Sequence, residues 1–174
     1  MLSQNYMKAN YLYLVTNLML LFFSIANFAL AQDLYSTPKT PEEMLNLYFK
    51  AMKEHNSNPD LPIFTEKSRQ MLKTWKVTPS QMDNIVASYN SCTPDETKYD
   101  STYLLAVIHY PINQKQCSPW FFQKHENSWK LDLTMMQKAV RFDNKNRWHF
   151  VPGFNHQYGF AFSDWIIDNN GYPR

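Results

Sequence analysis

Glu126-Asn127-Ser128-Trp129-Lys130-Leu131-Asp132-Leu133-Thr134-Met135 is the stretch that decides the fold class. Trp129, Leu131, Leu133 and Met135 alternate with Lys130, Asp132 and Thr134, so an extended chain here has one apolar and one polar face. That period of two predicts a half-buried strand from Trp129 to Met135. The polar tripeptide before it suits a hairpin turn and predicts an antiparallel partner over Ser118 to Lys124, where Trp120, Phe121 and Phe122 stand together. Adjacent residues of a strand point to opposite faces. One of Phe121 and Phe122 is therefore expected on the surface, where it would make a modest interaction patch.

Strand signals continue on both sides. Thr102 to Tyr110 is rich in strand formers and stops at Pro111. Val140 and Phe142 predict a fourth strand, Asp143-Asn144-Lys145-Asn146 a turn, and Trp148 with Phe150 the return. Beyond Pro152-Gly153, the alternation of Tyr158, Phe160 and Phe162 predicts a last strand.

Upstream the period changes to that of a helix. Thr40 is an N-cap, Pro41 suits the first helical position and Glu43 completes a capping box. Met44, Leu47, Tyr48, Ala51 and Met52 then give one apolar face. A second helix is predicted from Thr65, with Met71, Leu72 and Trp75 as its buried face. Thr78-Pro79-Ser80-Gln81 repeats the start signal for a third, carrying Met82, Ile85, Val86 and Tyr89.

Helices followed by an antiparallel meander make an α+β order. The chain resembles the nuclear transport factor two-like (cystatin-like cone) superfamily: Thr40-Pro41-Glu42-Glu43 opens an aromatic-bearing helix, and a turn with Trp129-Lys130-Leu131-Asp132 comes much later. The resemblance covers roughly Pro38 to Phe150. It implies N-terminal helices packed on a curved antiparallel sheet, cone-like in shape. The family often places a helix between its first strands, which is not legible here, and the aromatic stretch from Trp148 lies beyond the pattern. No catalytic residues transfer, because such folds share a shape more than a chemistry.

Destination is written at the start of the chain. Lys8 precedes a mostly apolar run, Leu12 to Ala31, which ends in Ala29-Leu30-Ala31. This is the layout of a signal peptide, residues 1–31, cut after Ala31. Residues 32–174 are then expected to form a single domain in the periplasm or outside the cell. An uncleaved anchor is the rival reading, since about 20 apolar residues can span a bilayer. Thr16, Asn17, Ser24 and Asn27 interrupt the run, and no basic cluster comes after it. With the leader removed, no membrane association is expected. The net charge of +2 for the whole chain gives no reason to expect nucleic acid as a partner. Cys92 and Cys117 are expected to form a disulfide in an oxidising compartment; a nucleophilic thiol beside a histidine such as His125 is the alternative.

Chemistry is sparse. The three glycines, at 153, 159 and 171, exclude the clustered-glycine phosphate loops and nucleophile elbows. No His or Cys spacing matches a metal site, so neither metal nor cofactor is expected. His109 and His149, with Asp132 or Asp164 as carboxylate partner, are the candidates for a general acid–base pair; exposure on a polar sheet face is the plainer reading. Trp120, Trp129, Trp148 and Phe160 are candidates for lining an apolar ligand cavity, or else they fill the core. The expected function is that of an exported, non-catalytic binding protein for an apolar small molecule or a protein partner. The alternatives are a small pocket enzyme, an isomerase or hydrolase, using a His–carboxylate pair, and an immunity or inhibitor protein acting outside the cytoplasm.

Overall fold

Threonine hydroxyls start the first three helices. Thr40 accepts a hydrogen bond from the Glu43 backbone N–H at 3.1 Å, while Glu43 reaches back to the Lys39 N–H at 2.7 Å. Helix α1, Pro41–Lys53, buries Met44, Leu45, Tyr48, Ala51 and Met52. Thr65 caps α2, Glu66–Thr74, and Thr78 with Gln81 forms a reciprocal box at the start of α3, Pro79–Tyr89. Each cap contributes about 1 kcal/mol. The computed structural model describes residues 37–174 except residue 154. The leader and its cut after Ala31 lie outside the described residues. Among the described residues no helix is long and apolar enough to cross a membrane.

The protein is α+β. Four strands, β1 Thr97–Tyr99, β2 Leu105–Ile108, β3 Trp120–His125 and β4 Ser128–Leu131, pair antiparallel in chain order. Helix α1 packs against β2 and β4. The strand expected from Thr102 begins later because Asp100 organises a turn: its Oδ1 accepts from the N–H groups of Leu104 and Leu105 at 2.9 and 2.8 Å. Strand β1, with three residues, is too short for its periodicity to register in the sequence. The outer edge of β4 is covered by residues 63–65, which exchange Leu131 N–H to Ile63 O (2.8 Å) and Thr65 N–H to Leu131 O (3.1 Å). Covering an edge removes a template for unwanted pairing.

Strand β3 is buried on both faces over Trp120 to Phe122, which corrects the expectation for the adjacent phenylalanines: Phe121 and Phe122 are each 0% exposed. Trp120 meets Tyr48 and Phe49 of α1 at ring distances of 5.3 and 5.7 Å. Phe121, on the other face, stacks on Tyr158 at 4.5 Å.

Two further expectations are corrected. The strand beginning at Trp129 stops at Leu131, because the Asp132 carboxylate accepts the Met135 N–H at 3.0 Å and caps α4, Leu133–Ala139. Threonine apart, the residues of this segment are strong helix formers. Met135 and Ala139 pack into the core at a spacing of four. The expected last strand is instead a 3₁₀ turn, Gly159–Phe162. Its aromatics cover the second sheet face, joining Val107, Phe121, Trp148 and Phe150 in one cluster. The hairpin of β5, Val140–Phe142, and β6, Trp148–Phe150, forms as expected. Asp143 Oδ1 accepts from the N–H groups of Lys145 and Arg147, both at 2.9 Å, and closes its turn.

The described residues form one compact unit. Cys92 and Cys117 are joined, with Cα atoms 5.8 Å apart, fastening the end of α3 to the segment that leads into β3. Replacing both cysteines with serine should lower the free energy of unfolding by about 3 kcal/mol. Urea titration of the two forms measures this, and an unchanged midpoint would mean that the bridge constrains nothing.

The tail returns across β6, where Phe150 N–H donates to Gly171 O at 2.9 Å. Gly171 has φ +85°, and a Cβ there would sit 2.0 Å from the Phe150 carbonyl oxygen. Gly171→Ala should therefore destabilise the fold by about 2 kcal/mol or more, through strain and displaced backbone. A thermal melt equal to that of the native protein would contradict this.

Candidate functional site

The apolar faces of α2 and α3 are only partly used by the fold. Helix α2 buries Ser68 and Leu72, and α3 buries Met82 alone. Trp75, read from the sequence as buried, is 49% exposed. The unused surface lines an open groove of about 780 Å³. Met71 and Leu72 of α2, with Trp75 just after it, form one side of it, and Ile85, Ser88 and Tyr89 of α3 another. Leu133 and Met136 of α4, with Val140 and Phe142 of β5, complete the lining, and Tyr48 and Trp120 contribute from α1 and β3. Phe142 is also 49% exposed.

Aromatic packing holds the inner end of the groove in shape. Tyr89 meets Trp120 at 4.8 Å and Phe49 at 5.7 Å. The Tyr89 hydroxyl bonds the Ser118 hydroxyl at 2.7 Å and donates to the Ser118 carbonyl at 3.1 Å. Burial raises the Tyr89 and Tyr48 phenols well above their usual range, so both are neutral. Among the described residues the polar lining is uncharged apart from Arg141: amides of Gln81, Asn84, Gln116, Gln137 and Asn146, and the hydroxyls of Ser88, Ser118, Tyr48 and Tyr89. A concave apolar site with a few polar groups, in this range of volume, suits a small apolar molecule.

Of the four aromatic candidates, Trp120 lines the groove. Trp148 belongs to the core cluster with Phe121, and Phe160 packs against that cluster. Trp129 is buried elsewhere, edge-on to Tyr99 at 5.7 Å, with the Lys124 ammonium over its ring at 5.8 Å. The sequence reading missed Met136 and Phe142 as lining residues. Spacing on α4 could have revealed Met136 once Asp132 was recognised as a cap.

Of the acid–base candidates, only His109 and Asp164 act on one another, through charge, with Lys98 also beside them. Asp132 is buried and accepts the Tyr158 hydroxyl at 3.0 Å in addition to its capping bond. His149 bonds the Phe150 carbonyl through Nδ1 at 2.9 Å and packs against Tyr172. Asp164 accepts from Lys98 Nζ at 2.8 and 2.9 Å. Among the described residues no hydrogen bond or ion pair joins His109 or His149 to Asp132.

The expectation of an exposed His109 is corrected: the residue is 1% exposed. Its ring stacks on Phe162 at 4.7 Å and packs against Trp165 at 4.9 Å. Its Nδ1 stands 3.9 Å from Glu96, and its Nε2 is buried without a hydrogen bond. Burial, reinforced by the Lys98 charge, pushes its pKa down to about 4. Among the described residues no group of three His, Cys, Asp or Glu side chains is placed to hold a metal ion.

A neutral buried histidine makes stability depend on pH. The unfolded chain takes up this proton near pH 6.5 and the folded chain only near pH 4. Stability is therefore complete above pH 6.5 and falls as pH drops towards 4, by up to about 3 kcal/mol. His156, also held low by burial, adds to the fall. Urea midpoints across this window should decline for the native protein and less steeply for His109→Gln. Equal slopes would show that His109 is not the neutral group responsible.

No protein-family model, curated protein or solved structure is significantly similar to this chain.

Proposed function

We propose that this chain is an exported, non-catalytic binding protein that holds an apolar small molecule in the groove between α2, α3, α4 and β5. The observation that carries the reading is the groove itself: about 780 Å³, with Trp75 and Phe142 half exposed along it. Large apolar side chains left open together mark a place where something else is buried. Export is supported by the Ala29-Leu30-Ala31 ending of the apolar run and by the Cys92–Cys117 bridge, which persists in oxidising compartments. A nuclear transport factor two-like relationship belongs to the same proposal. Helices preceding an antiparallel meander support it.

Native mass spectrometry of the protein purified from its own extracytoplasmic compartment tests the whole reading. The expected mass is that of residues 32–174 plus a small organic molecule. Ile85→Lys and Met136→Lys place a charge in the lining and should each reduce occupancy roughly tenfold. A bare polypeptide mass, or one increased by a whole protein chain, would overturn the small-molecule reading. Retention of Lys8 would overturn cleavage.

A further inference from the structure

The groove has an electrostatic polarity that its apolar character conceals. Among the described residues no aspartate or glutamate lines it, and the one charged side chain in the lining is Arg141 of β5. The nearest acid in sequence, Asp143, is already occupied: Arg147 bonds it at 2.7 and 2.8 Å and the Tyr172 hydroxyl at 3.0 Å. Among the described residues no carboxylate lies within ion-pair distance of Arg141.

Arg141 is nevertheless held in place. Its Nη1 donates to the carbonyls of Gln137 at 2.5 Å and of Val140 at 2.7 Å. Both bonds use the same nitrogen. The Nε and Nη2 edge of the guanidinium makes no hydrogen bond among the described residues. That edge is the two-pronged donor that matches a carboxylate. Anchoring one nitrogen removes part of the side-chain entropy that would otherwise oppose binding. Phe142, Met136 and Val140 line the same groove, so the charge of Arg141 opens onto a site that is otherwise mostly apolar.

We propose that the ligand is a single-chain amphiphile with a carboxylate head, its chain lying along the groove and its head received by Arg141. This rests on the small-molecule reading above and extends it to a chemical class. A neutral chain would leave the guanidinium edge to water. A cationic head would meet the one charge of its own sign.

Three probes of equal chain length separate these cases by titration calorimetry at neutral pH: dodecanoate, dodecanol and dodecyltrimethylammonium. The native protein should bind dodecanoate roughly tenfold or more tightly than dodecanol, the size of one charge-assisted pair. The ammonium should bind weakest. Arg141→Gln should bring dodecanoate down to the affinity that the variant itself shows for dodecanol; measurable dodecanol binding by the variant shows that it folds and keeps its groove. Equal native affinities for dodecanoate and dodecanol overturn the carboxylate assignment and leave the groove reading standing. So does an Arg141→Gln variant that retains the preference. Failure of all three chains to bind overturns the groove reading itself.

Discussion

Strand β3 has to be buried on both sides, and most of the architecture depends on that constraint. Trp120, Phe121 and Phe122 are consecutive, and an extended chain sends them to alternate faces. A one-sided sheet would have left Phe121 or the Trp120–Phe122 pair in water. Each side chain of this size contributes roughly 2–3 kcal/mol when buried. Helix α1 covers the Trp120 side through Tyr48 and Phe49. The other side needs a second layer, and the chain after β6 supplies it with Tyr158 and Phe162. Trp148 and Phe160, two of the four aromatics that could have suggested a ligand cavity, belong to this second layer.

Legibility in the sequence divides along physical lines. Local chemistry read well: the threonine caps at Thr40 and Thr78, the β5–β6 turn around Asp143 and the pairing of the two cysteines each depend on residues whose roles are nearly context-free. Two alternating runs misled. Asp132 fits the polar face of a strand as well as it fits an N-cap. The choice is made by Leu133–Ala139, a helix-forming segment that docks Met135 and Ala139 into the core. Tyr158, Phe160 and Phe162 alternate, yet among the described residues they have no strand to pair with. They fill space over Phe121 in a 3₁₀ turn.

The site was legible only in part, for a related reason. Trp120 could be read from its composition and position. Met136 and Arg141 depended on the course of the chain after Leu131, so the misplaced strand hid them. The histidines show the opposite limit. His109 comes directly after β2, and sequence alone could not show that Phe162 and Trp165, more than fifty residues later, close over it. Its depressed basicity is a consequence of that long-range cover and of no local motif.

Helix α3 is fastened to the rest of the protein chiefly at its ends. At its start, Met82 is buried and Asp83 meets His55 at 2.8 Å. At its finish, Tyr89 packs on Trp120 and Cys92 is bridged to Cys117. Between these fastenings Ile85 and Val86 are only partly covered. The middle of the helix is thus a thinly covered wall, and Ile85 there lines the groove. An occupant there would act as a missing piece of the hydrophobic core, so folding and binding would draw on the same apolar surface. By linkage, the protein's resistance to unfolding would then track how much of it is filled.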